Sequence, residues 1–140
     1  MKKQLLRAGI FVVAIPTGAT GAWGLFAPRS FYRSFPRGAA HPWISSLGPY
    51  DEHLVRDVGA LLLALAVLLL IAGIVLDRRL VIAAAVSSLV FNVPHLIFHA
   101  LHRDNLSAVD DALNLALLGG TVLIMSAVGI GAWRDSGHAL

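Results

Sequence analysis

The chain has no cysteine, and this one absence excludes several kinds of chemistry. Without thiols there can be no disulfide, no thiol redox centre, no iron–sulfur cluster and no thiolate metal site. Charge is also scarce, because only 14% of the 140 residues are Asp, Glu, Lys or Arg, whereas soluble domains have about 25%. Any chemistry must therefore come from six histidines, eight carboxylates and a few arginines.

Apolar residues take the place of the missing charges. Hydrophobic residues make up 57% of the chain and the mean hydropathy is +0.76, values that exclude an ordinary water-soluble globule. The net charge of +3 and the pI near 10.0 arise from very few charges rather than from a basic surface. Nucleic-acid binding is therefore not expected, and the composition indicates a small integral membrane protein.

Apolar runs of about 20 residues have the length that a helix needs to cross a bilayer. The chain contains four such runs, at Leu5–Ala27, Leu54–Leu76, Leu80–Leu101 and Ala112–Gly131. A charged turn at residues 77–79 separates the second and third runs and is so short that these two spans must be antiparallel neighbours. We predict an all-α fold, in which residues 1–140 form a single integral membrane four-helix bundle.

The segment Pro28–Tyr50 between the first two spans is too long for a simple turn. Its aromatic residues are interspersed with arginines, a mixture that suits the headgroup level of a membrane. We expect a partly structured interfacial loop that either anchors the chain at the membrane surface or covers a site as a lid. As a lid, it would use Arg29 and Arg33 to bind a lipid phosphate or another anionic group of a cofactor.

The distribution of basic residues indicates the orientation of the spans. If both termini are cytoplasmic, the inner side has Lys2, Lys3, Arg7, Arg78, Arg79 and Arg134, and the outer side has Arg29, Arg33, Arg37, Arg56 and Arg103. The excess on the inner side favours a multi-pass protein of the cell membrane with both termini in the cytoplasm. The basic start of the chain also resembles a signal peptide, but we expect an uncleaved first helix.

Histidines are concentrated at one end of the third span. At about 100° per residue, the side chains of Asn92, His95, His99 and His102 all lie on one face of the helix. His95 lies roughly 10 Å below His102 at about 1.5 Å per residue, within the hydrocarbon or at its edge. Pro94 is expected to kink the helix beside these histidines.

The second span begins on the same side of the bilayer with polar residues of its own. His53 and Asp57 lie four residues apart and share one face. The neighbouring stripe contains Glu52 and Arg56, which have the spacing of an i, i+4 ion pair.

The fourth span also begins on this side. Asp110 and Asn114 are four residues apart, and Ser107 followed by Asp110 and Asp111 is typical of a helix start. Three helices thus present polar stripes at matching depth, whereas the other halves of the second, third and fourth spans contain no ionisable group. Channel or pump activity, which needs polar groups across the whole membrane, is therefore not expected.

A pair of histidines four residues apart, together with carboxylates, is a workable ligand set for zinc, iron or copper. We predict that a metal ion or haem binds near one membrane face, the extracytoplasmic one in the orientation above. The predicted metal ligands are His53, Asp57, His95, His99, His102 and Asp110. Such an ion would act as a redox centre or Lewis acid on a hydrophobic substrate that enters from the lipid.

Two other hypotheses remain open. In a module that binds a membrane lipid or a partner, the histidines and carboxylates form only a structural, hydrogen-bonded cap. In a metal-free enzyme acting on a lipid or isoprenoid substrate, Asp57 and His95 serve as the catalytic acid and base. A homo-oligomer and a complex with a membrane partner subunit are both compatible with the sequence.

The four-span plan, with the run Arg56-Asp57-Val58-Gly59-Ala60-Leu61-Leu62 at the start of the second span, resembles the small bacterial membrane proteins called DoxX-like. The resemblance covers most of the chain and implies a four-helix bundle. Some proteins of this kind are linked to quinone or thiol redox systems, and the lack of cysteine argues against a thiol role here. No site residue follows from the resemblance.

Overall fold

A computed structural model describes residues 3–103 and 106–134, and in this part of the chain it contains five α-helices. They are α1 (Lys3–Phe26), α2 (Pro28–Ser34), α3 (Glu52–Val75), α4 (Arg78–Leu101) and α5 (Ala108–Arg134). The four longer helices are each long and apolar enough to cross a membrane. The predicted all-α class with four spans is confirmed. Lys2, one of the basic residues counted above, lies outside the described residues.

Polar caps extend the long helices beyond the apolar runs. α3 begins at Glu52 because the carboxylate of Asp51 accepts a hydrogen bond from the backbone amide of Leu54 at 3.0 Å. At the start of α4, the Asp77 carboxylate accepts a hydrogen bond from the amide of Leu80 at the same distance. Hydropathy detects only the apolar part of each helix, so the predicted spans begin two to four residues too late.

The four long helices form a ring in the order α1, α3, α4, α5, in which each contacts its two neighbours. Only Leu76 and Asp77 separate α3 from α4, so these two helices form the predicted antiparallel hairpin. We call the end of the bundle at which α1 and α4 finish the loop end, and the opposite end the terminal end.

Glycines allow α1 and α3 to pack backbone against backbone. A Cβ atom on Gly21 would lie 2.6 Å from the backbone nitrogen of Leu63, and one on Gly59 would lie 2.8 Å from the carbonyl carbon of Gly24. Real Cβ atoms do not approach other atoms so closely, so this crossing requires glycine at both positions.

The apolar core fills the half of the bundle nearest the terminal end. Its largest fully buried apolar side chains are Ile10, Leu69, Val81 and Met125, one from each long helix. Two arginines tie this end together: Arg7 donates to the carbonyl of Gly73 at 3.1 Å, and Arg78 donates to that of Ala132 at 3.2 Å. The half nearest the loop end is packed differently and contains the site described next.

Candidate functional site: an apolar cavity beneath a cap

The half of the bundle nearest the loop end contains a cavity of about 350 Å³. All four long helices contribute to its walls, which consist mainly of leucine, valine and aromatic side chains. Its size and composition are those of small-molecule binding sites, which are mostly apolar and carry a few polar groups. The cavity lies within the membrane-spanning part of the bundle, because its lining includes Leu62 on α3 and Leu118 on α5.

Three polar side chains from the neighbouring helices α4 and α5 line the cavity: Asn92, His95 and Asn114. Asn92 is satisfied within its own helix, because its Nδ2 donates to the carbonyl and hydroxyl oxygens of Ser88 at 2.9 and 3.2 Å. Asn114 is only 5% exposed, and its Nδ2 has no hydrogen-bond partner among residues 3–103 and 106–134. An unpaired buried amide is destabilising by about 1–3 kcal/mol and is rare in folded proteins.

Aromatic contacts along α4 hold His95 in place. Its ring stacks on that of Phe91, with centroids 5.3 Å apart and planes inclined by 20°, and it meets the ring of His99 in a T-shaped contact with centroids 4.8 Å apart. Within the described part of the chain, no hydrogen bond or ion pair engages the His95 imidazole. A ligand in the cavity can therefore use its ring nitrogens as donor or acceptor.

Residues 35–44, which we call the cap, cover the loop end of the cavity. Phe35, Trp43 and Ile44 form this part of the wall. The Phe35 ring contacts Phe31 of α2 at a centroid distance of 4.8 Å and Trp43 at 6.1 Å, and its carbonyl accepts a hydrogen bond from the Trp43 amide at 2.8 Å. Residues of this segment thus line the same cavity as His95, and its role as a lid stays a prediction.

Asp110 fastens the cap to the start of α5. Its carboxylate accepts hydrogen bonds from Nε1 of Trp43 at 3.0 Å, from the hydroxyl of Ser107 at 2.7 Å and from the guanidinium of Arg37. Nδ1 of His41 lies 3.4 Å from the same carboxylate. Asp110 is also a predicted metal ligand, but in the structure donors from the cap and the helix start occupy both of its oxygens.

His53 and Asp57, predicted as metal ligands, pair with each other outside the cavity. His53 Nε2 and Asp57 Oδ2 are 3.5 Å apart, and the side chains are 87% and 57% exposed. Asp57, the predicted catalytic partner of His95, is not in the cavity wall that contains His95. The ion pair predicted beside them is confirmed, with Arg56 Nη2 and Glu52 Oε1 2.9 Å apart.

The two remaining predicted ligands lie along α4 beyond His95. His99 is buried, and its ring makes a T-shaped contact with that of Phe98. His102 is exposed, its ring stacks on that of Phe98, and its Nδ1 lies 2.9 Å from the Phe98 carbonyl oxygen. Across residues 3–103 and 106–134 there is no group of three or more His, Asp or Glu side chains that could hold a metal ion. The metal ion or haem stays a prediction, and this arrangement does not favour it.

Arg29 and Arg33, predicted to bind an anionic group, lie on α2 and do not line the cavity. The Arg29 guanidinium lies 5.8 Å from the centre of the Tyr50 ring, and Arg33 is exposed. An anion bound by them would lie on the outer surface of the loop rather than beside His95.

No family model, curated protein or solved structure matches this chain. The DoxX-like resemblance stays a prediction.

Proposed function

We propose that this membrane protein binds an apolar small molecule in the cavity beneath the cap and recognises it by a hydrogen bond from Asn114. The observation that carries the proposal is that Asn114 lines this largely apolar cavity, while its buried Nδ2 has no hydrogen-bond partner in the described part of the chain. Of the three hypotheses drawn from the sequence, we favour the binding module over the metal centre, with a hydrophobic small molecule as its ligand.

The donor chemistry of the wall defines the polar part of the ligand. A primary amide nitrogen can only donate, so the ligand must present an acceptor such as a carbonyl oxygen to Asn114. His95 offers a second donor or an acceptor, according to its tautomer. The apolar walls supply most of the binding free energy, and the hydrogen bond orients the ligand and adds about 1 kcal/mol.

A purely structural role does not account for Asn114. A leucine at this position would have a similar size and would leave no donor unpaired, so the fold alone gains nothing from the amide. Polar groups that destabilise a fold are typical of binding sites, where function opposes stability. In the proposed orientation, with both termini in the cytoplasm, the cavity lies on the extracytoplasmic side of the membrane.

Asn114→Leu tests this function in nanodiscs, with methyl nonyl ketone and undecane as probes. Trp23→Phe and Trp133→Phe leave Trp43, which lines the cavity, as the fluorescent reporter. We expect a saturable ketone signal in the parent protein and about fivefold weaker ketone binding in Asn114→Leu, which is the loss of about 1 kcal/mol. Undecane binding should not change, and the variant should unfold at the same or a higher temperature.

Thr121→Val is the matched control. Thr121 lies on the same helix, its hydroxyl donates to the carbonyl of Leu117 at 2.9 Å, and it does not line the cavity. Ketone binding should survive this change. A parent protein without a saturable signal, or an Asn114→Leu variant with unchanged ketone affinity, would refute the proposal.

A further inference from the structure

A second apolar hollow lies beside the cavity, between α3 and α4. It has a volume of about 260 Å³ and is lined by Val58, Leu61, Leu62, Leu65, Ser87 and Phe91. Val58, Leu62 and Phe91 also line the cavity, so the two hollows are adjacent and share a wall. We call the second hollow the groove.

The groove faces outward at the depth of the hydrocarbon. Leu61 is 70% exposed and Phe91 is 38% exposed, and both lie within membrane-spanning helices. From Val58 to Leu65 the groove follows α3 for about 10 Å, away from the cap and toward the middle of the bundle. In a bilayer, lipid chains therefore contact the bundle at the groove.

The cap lies at the loop end of the cavity. Its residues Phe35, Trp43 and Ile44 line the cavity, and Asp110 holds the cap by accepting hydrogen bonds from Trp43 and Arg37. The cap and the groove therefore lie on different sides of the cavity.

The walls also define the charge of the ligand. Among residues 3–103 and 106–134, no Lys, Arg, Asp or Glu side chain lines the cavity or the groove. A phosphate or carboxylate headgroup would be desolvated there without a counter-charge, which is strongly unfavourable in an apolar environment. An uncharged acceptor, by contrast, needs only the amide of Asn114.

We infer that the ligand is an uncharged, single-chain lipid that enters from the bilayer, with its carbonyl-bearing head at Asn114 and its chain passing between the side chains that the two hollows share into the groove between α3 and α4. This inference rests on the proposed function and extends it to a substrate class. The groove, with a volume of about 260 Å³, favours one chain over the two chains of a phospholipid.

Photo-crosslinking locates the chain. The probe is a methyl pentadecyl ketone with a diazirine near the middle of its chain, added to the full-length protein in nanodiscs and irradiated. We expect labels in the part of α3 that contains Leu61 and Leu65 and in the part of α4 that contains Ser87, and we expect unlabelled ketone to suppress them. A fatty acid of equal length should not compete.

Ser87→Phe fills the groove without changing a residue of the cavity wall. It should reduce labelling of α3 several-fold and leave the binding of a short ketone, methyl butyl ketone, unchanged. Val90→Phe is the matched control, because Val90 is an exposed residue of the same helix that lines neither hollow. It should leave both measurements unchanged.

The outcomes separate the two proposals. If the short ketone binds but the label spreads over all the helices, resists competition or is unaffected by Ser87→Phe, the groove inference is wrong and the proposed function stands. Competition by the fatty acid would contradict the inference that the head of the ligand is uncharged. If neither ketone gives a saturable Trp43 signal, the proposed function itself fails.

Discussion

Two polar residues one turn apart on α5 have opposite environments. Asp110 accepts hydrogen bonds from Trp43, Ser107 and Arg37, whereas Nδ2 of the buried Asn114 has no partner among the described residues. Buried polar groups are nearly always paired, so the first residue accounts for the position of the cap and the second indicates a ligand.

Asp110→Asn should loosen the cap. The change removes the negative charge that faces Arg37 and replaces one acceptor oxygen by a donor, so the hydrogen bonds from Trp43 and Ser107 cannot all persist. We expect thermal unfolding in detergent to occur several degrees lower and the emission of Trp43 to shift to the red. Asp57→Asn, at an exposed pair, should change neither.

Equal effects of Asp110→Asn and Asp57→Asn would contradict the role assigned to Asp110.

Local spacing explains what was predictable at the residue scale. The Glu52–Arg56 ion pair and the polar stripe of α4 follow from positions three or four residues apart in a helix. The partners of Asp110 do not, because Arg37 and Trp43 are 73 and 67 positions away in sequence. Local spacing therefore predicts Asp110 as a ligand for an ion, whereas in the structure its partners come from the cap and from Ser107.

At the scale of the helices, the closest packing depends on a few glycines. Small residues four apart in the first span, at Ala14, Gly18 and Ala22, indicate a face suited to close contact. The structure makes its tightest crossing at other residues, Gly21 and Gly24 against Gly59. Sequence spacing could not identify Gly59 as the partner, because the choice depends on how two distant helices rotate against each other. Helix positions, in contrast, follow directly from the apolar runs.

Gly59→Ala should destabilise the bundle by about 1–3 kcal/mol, because the new methyl group collides with the backbone of α1. Reversible unfolding in sodium dodecyl sulfate measures the change. Gly120→Ala is the control, since nothing lies within 4 Å of the added Cβ and alanine favours a helix by up to about 1 kcal/mol.

A Gly59→Ala variant as stable as Gly120→Ala would show that the α1–α3 crossing is looser than the structure indicates.

At the scale of the whole molecule, the two halves of the bundle differ. The core fills the half near the terminal end, whereas the half near the loop end holds the cavity and the groove. Hydropathy predicts four spans but not an internal void, because a void depends on how side chains from four helices fill the space between them. The position of the cap depends on contacts with α5, and these contacts could not be predicted because they join residues far apart in sequence.

The proposed orientation can be tested because the chain has no cysteine of its own. Gly48→Cys places one thiol in the exposed loop before α3, and Arg79→Cys places one at the exposed start of α4. In intact cells, a membrane-impermeant maleimide should label residue 48 and not residue 79, which should react only after permeabilisation. Labelling of residue 79 and not of residue 48 in intact cells would place the termini on the extracytoplasmic side and the cavity on the cytoplasmic side.

Binding of a ketone relative to the matching hydrocarbon tests the central claim most directly. Trp43 fluorescence in nanodiscs gives the affinity for methyl nonyl ketone and for undecane, in the parent protein and in Asn114→Leu. The ratio of ketone affinity to undecane affinity should be about fivefold higher in the parent than in the variant, from one hydrogen bond of about 1 kcal/mol. An equal preference in both proteins would contradict recognition by Asn114.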